Sequence, residues 1–131
     1  MASENSVTTV YRRINLANIT SGASSSIDPI GWVAFGDGGV DSIGNPIPPD
    51  TESTSLNNEI ARYPIDSVSY PTPTTAQYTC TIPAPDLPGA QISEAAITDS
   101  GTSGGLCAII TFFVKQKDPG ASFTFTFNDE F

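Results

Sequence analysis

The closing stretch "ASFTFTFNDEF" alternates without a break, with Phe123, Phe125 and Phe127 on one face and Thr124 and Thr126 on the other. A period of two is that of an extended strand with one face buried, and it fits no helix. By contrast, "LCAIITFFV" is apolar on both faces, as a central strand covered on both sides would be. Together they require at least two layers of sheet. Eleven glycines and eleven prolines in 131 residues punctuate the rest, so the strands must be short and joined by turns.

Further strands are expected at Trp32 to Phe35, Ile65 to Tyr70, Gln77 to Ile82, Gln91 to Thr98 and Leu106 to Lys115. Residues 1 to 6 are polar and read as loose. In "VTTVYRRINLANI", Val10, Arg12, Ile14 and Leu16 alternate imperfectly, which predicts a strand over Val7 to Ile19. One helix of about two turns is expected in "TSLNNEIARYPIDSV": Ser53 or Ser55 can cap it, Leu56, Ile60 and Tyr63 fall near one face, and Pro64 stops it. The fold class is therefore mainly β, an antiparallel β-sandwich or partly open barrel with one short helix. Residues 1–29 form an N-terminal arm and strand, and residues 30–131 a single sandwich domain.

The formal charge is −9, and only Arg12, Arg13, Arg62, Lys115 and Lys117 are basic. No patch can neutralise a run of phosphates, so nucleic acid and anionic membrane are disfavoured as partners, whereas a basic protein would suit. With no histidine, serine triads and His-ligated metal sites are excluded. Cys80 and Cys107 each sit in an apolar run and read as buried thiols. The N-terminus lacks the pattern of a signal peptide and no run approaches ~18 apolar residues, which implies synthesis in a cytoplasm.

The turn-rich segment Asp37 to Ser53 reads as a long surface loop that is functional or covered by a partner, with Asp41, Asn45 and Asp50 as its interaction residues. Its carboxylates could attract calcium, but the spacing is not that of an EF-hand, and turns capped by their own side chains are the favoured reading. No metal or other cofactor is expected. Asp37, Glu59 and Glu94 are the carboxylates from which a glycosidase pair could be drawn, yet nothing in the sequence brings two of them to the required ~5 to 10 Å. Trp32, Tyr63, Tyr70 and Tyr78 could make a sugar-stacking platform; core and rim packing is favoured. In the expected helix Glu59 and Arg62 lie three residues apart and can pair. Glu94 shares a strand face with Ile92 and Ala96 and needs a partner when buried, so Arg62 is expected to turn inward and staple the helix to Glu94.

The order "VAFGDGG", a proline-rich gap, "LNNEIARYPIDSV", a strand, "PGAQISEAAITDSGTSGGLCAI" and an alternating last strand resembles the N-terminal domain of phage tail-collar fibre proteins. The match covers roughly Ile30 to Phe127. Its most specific part is Leu56, Glu59, Arg62, Pro64 and Ile65, which in the family form a helix motif. The family's E-x-G-L appears as Glu94, Ala95, Ala96 and Ile97, and "TSGASSSIDP" stands where the family has a helix ahead of the Gly-Asp-Gly strand. The resemblance implies a virion structural protein, assembled in the host cytoplasm, that docks onto the tail, collar, neck or baseplate, joins fibres and forms a homo-oligomer. It implies no catalysis. Asp37, Glu59, Arg62 and Glu94 would be its structural determinants. A carbohydrate-binding module and a head decoration protein are the alternative readings.

Overall fold

The computed structural model describes residues 6–131. Two antiparallel sheets face each other. One has five strands in the order β1 (Ser6–Thr8), β7 (Leu106–Gln116), β6 (Gln91–Thr98), β2 (Trp32–Gly36), β3 (Glu59–Pro64). The other has three, β4 (Ser67–Thr72), β5 (Thr75–Ile82) and β8 (Phe123–Glu130). Among the described residues a single helix, α1 (Val10–Ser21), lies between β1 and β2. The arrangement is a sandwich with one short helix and not a closed barrel.

Between the sheets, Val33 and Phe35 of β2, Ala95 and Ile97 of β6 and Ala108 of β7 meet Cys80 and Ile82 of β5 and Phe127 of β8. Phe35 takes the rings of Phe123 and Phe125 edge-on, with centroids 6.2 and 5.6 Å away. Such edge contacts contribute about 0.5–1.5 kcal/mol each beyond burial. The reverse face of the five-stranded sheet carries a second apolar cluster, Ala34, Ala96, Leu106 and Ile109, and Leu56 from the long loop closes it. Central strands covered on both faces are what the unbroken apolar run in β7 predicts.

Two expected elements exchange places. The segment read as a strand over Val7 to Ile19 is β1 followed by α1. Thr9 caps the helix by accepting from the Arg12 amide at 3.2 Å, and Gly22, at φ +82°, ends it in a conformation that disfavours other residues. The helix has an inverted pattern that hides its period: Arg12 and Asn15 are buried, while Ile14 and Ile19 are each more than half exposed. The segment read as a helix over residues 54 to 63 is loop and strand. Its i,i+3 spacing comes from a β-bulge, because Phe35 pairs Ala61 while Gly36 pairs Glu59, which leaves Ile60 as the extra residue. A bulge shifts strand parity by one, so positions three apart share a face as they would on a helix. Residues 1 to 5 of the expected loose N-terminus lie outside the described residues.

Candidate functional site

Gly36 ends β2 directly opposite Glu94 of β6, and the chain then leaves the sheet as the long loop. Glu94 is 1% exposed and meets no cation among the described residues. Its Oε2 accepts from the amides of Gly38 (3.0 Å) and Asn58 (2.8 Å), and its Oε1 accepts from the amide of Asn57 (2.9 Å). One carboxylate thus fastens both ends of the loop to the sheet. Hydrogen bonds to an ionised acceptor are the stronger kind, and three of them replace the water that burial removes.

Close approach is what the glycines supply. A Cβ on Gly39 would lie 2.1 Å from the Ser93 carbonyl oxygen, and one on Gly36 would lie 2.5 Å from Glu94 Oε2. Around this contact the Gly39 amide donates to Ser93 Oγ at 2.9 Å, Asn57 Nδ2 donates to the Gly38 carbonyl at 2.9 Å, and Asn58 Nδ2 donates to Asp37 Oδ1. The "GDGG" and "LNNE" stretches are therefore two halves of one clamp.

Arg62 does not meet Glu94, and the expected staple between them is overturned. Arg62 instead grips Glu59 with two parallel bonds, Nε to Oε2 at 2.7 Å and Nη2 to Oε1 at 3.1 Å. Its Nη1 donates to the carbonyls of Ser100 (2.7 Å) and Gly104 (3.0 Å) in the β6–β7 turn. Register explains this. Arg62 lies opposite Ala34, which lies opposite Ala96, and from there the guanidinium reaches towards Thr98 at the far end of β6 from Glu94. The Glu59–Arg62 pair exists, on a bulged strand and not on a helix. Only 4% of the Arg62 side chain is exposed, so this arginine fixes a turn.

The long loop is tied to its own chain at several points. Thr111 Oγ1 donates to the Ile47 carbonyl at 2.7 Å, the Val10 amide donates to the Thr51 carbonyl at 2.7 Å, and Val40 bridges Pro46. Asp41 accepts from the amides of Ile43 and Asn45, and Asp50 accepts from that of Glu52. These are the self-capped turns that the composition suggests. Asp41, Asn45 and Asp50 stay exposed at the loop surface, beside Ile43 at 80% exposure.

A second charged clamp lies under α1 and was not anticipated. Arg12 and Asp129 form a two-bond pair, each about 6% exposed, and Phe131 lies with its ring centroid 4.8 Å from the guanidinium carbon. Burial opposes the Arg12 charge, but the bonds and charge of Asp129 outweigh it, and the arginine is held more firmly protonated than usual. The signal was present in the alternation: Asp129 continues the inward series of Phe123, Phe125 and Phe127. Nearby, Asp99 accepts from the Tyr11 hydroxyl at 2.6 Å and from the Asp28 amide. Burial first, and then this bond, push the Tyr11 hydroxyl well above its ordinary range. Lys117, 1% exposed, donates to the carbonyls of Ala84 and Asp118.

The four aromatics of a possible sugar platform are not brought together. Trp32 and Tyr63 lie on opposite faces of the five-stranded sheet, and Tyr63 packs on Phe35 while its hydroxyl donates to Asp86. Tyr70 and Tyr78 belong to the other sheet. Both cysteines are free and fully buried, and burial pushes each thiol up to about 12.

No protein-family model matches the chain, and no curated protein matches it either.

Proposed function

We propose that this chain is a structural protein of a tailed bacteriophage particle, an adaptor at the tail, collar, neck or baseplate that docks or holds fibres. The observation that carries this reading is the convergence of its three motif segments. The Gly-Asp-Gly strand end, the asparagines of "LNNE" and Glu94 meet in one clamp, although Gly38 and Glu94 are 56 residues apart in sequence. Ahead of the Gly-Asp-Gly strand the chain does have a helix, α1, upstream of most of "TSGASSSIDP", whereas the helix motif of Leu56 to Ile65 departs from the family in being loop and strand.

The chemistry of the clamp favours fit over turnover. Asp37 is engaged by Asn58, Glu59 by Arg62 and Glu94 by three amides, so each carboxylate is held as a fixture. Preorganisation lowers the cost of docking, because the loop that presents Asp41, Asn45 and Asp50 is already ordered. In this role the acidic loop meets a basic neighbour in the virion, and copies of the chain form a closed assembly. Antibody against this chain, applied to intact particles and viewed by electron microscopy, tests the assignment. Label at the tail, collar, neck or baseplate is expected; particles that lack the protein, or carry it only on the head, would overturn it.

A further inference from the structure

We infer that β8 is a self-complementary docking edge, and that its occupant is the β8 strand of a second copy of this chain, paired antiparallel about Phe125. The inference stands on the sheet edges and does not depend on the virion reading.

An open strand edge presents unpaired backbone groups that recruit other strands, and proteins blunt such edges with shortness, bulges, prolines or charge. Three of the four edges here are blunted. β1 is three residues long, β3 is bulged at Ile60 and ends on Pro64, and β4 breaks register between Ser69 and Thr72 around Pro71. β8 carries charge only at its C-terminal end, at Asp129 and Glu130, and has no such defence from Phe123 to Asn128. It runs for eight residues in unbroken register with β5, contains no proline, lysine or arginine, and has no strand on its other side among the described residues.

The edge also borders apolar surface. Phe123 and Phe125 point between the sheets yet remain only partly buried, because the sandwich is open along this side. They line a groove with Ile110, Phe112 and Lys115 of β7.

The sequence of the edge selects a second copy over a foreign strand. "FTFTF" reads the same in both directions about Phe125. Antiparallel pairing on that centre sets Phe123 against the second copy's Phe127, Thr124 against its Thr126, and Phe125 against its own counterpart. Every apolar side chain then continues the inner layer and every threonine the outer face. Alignment of like with like is the requirement of a twofold, isologous contact. The register also separates the charges. Asp129 and Glu130 fall opposite Ala121 and Gly120 of the second copy, so two chains of charge −9 meet along a stretch that is neutral from Ser122 to Asn128. The two three-stranded sheets would merge into one of six strands.

Equilibrium sedimentation with charge-swapped pairs tests this. The wild-type chain is expected at twice 13.7 kDa. Thr124 and Thr126 are exposed, so T124K/T126K and T124E/T126E should keep wild-type circular dichroism and melting. Across the seam each of these positions faces the other, so both variants are expected at the mass of a single chain, and an equimolar mixture should return to twice that mass. A wild-type chain that stays monomeric, a lysine variant that stays dimeric, or a mixture that fails to re-associate would each overturn the inference.

Discussion

Glu94 and Asp129 are both strand carboxylates that point away from water, and the molecule satisfies them in opposite ways. Asp129 meets a guanidinium that arrives from another element, so its partner is a side chain that can be exchanged. Glu94 meets three backbone amides. No substitution can delete an amide's need for an acceptor short of proline, so the two clamps should fail differently when cut.

The largest effect is expected from Glu94→Leu. It removes the acceptor of three part-buried N–H groups, each loss costing about 1 kcal/mol or more, so a loss on the order of 4 kcal/mol is expected in urea unfolding. A second-site change of side chain should not restore it. Asp129→Leu comes next, at about 3–4 kcal/mol, because it leaves Arg12 buried and unpaired. Here the contrast sharpens: adding Arg12→Met should recover most of that loss, since a buried ion pair replaced by apolar groups of similar volume is often nearly neutral. If the double variant is as unstable as the single, the two clamps are not different in kind.

The smallest effect at neutral pH comes from the thiols. Cys80 and Cys107 ionise near 9 when unfolded and at about 12 when folded, so the folded state retains protons that the unfolded state releases. Their contribution is complete below about pH 9 and declines as pH rises towards 12, by about 1.4 kcal/mol per pH unit for each thiol. Urea midpoints measured from pH 7 to 11 should stay level and then fall. Cys80→Ala with Cys107→Ala should flatten that alkaline fall, leaving the part due to the tyrosines.

The same contrast separates what the sequence reveals from what it hides. Strict alternation in β8 and the first half of the apolar run in β7, Leu106 to Thr111, survive into the structure because burial imposes them directly, whereas Phe113 and Val114 at the end of that run are exposed. Glu94 was legible as a buried acid in need of partners, since Ile92 and Ala96 mark its surroundings. Its partners were not, because backbone amides carry no residue code; only the glycines of "GDGG" hint that another chain segment passes close. α1 and β3 depart from their sequence patterns for related reasons. α1 buries Arg12 against Asp129 of a distant strand and Asn15 against its own helix and the following loop, which hides its period, and the bulge at Ile60 imitates helical spacing. Local propensity lost to long-range pairing in both places.

The central claim is that the long loop is fastened to its own sheet by Glu94, and native-state hydrogen exchange tests it most directly. The amides of Gly38, Asn57 and Asn58 should exchange as slowly as those in the middle of β6. In Glu94→Gln they should lose most of that protection while β5 and β8 keep theirs. Exchange of these three amides at the rate of an exposed loop in the wild-type chain would contradict the account.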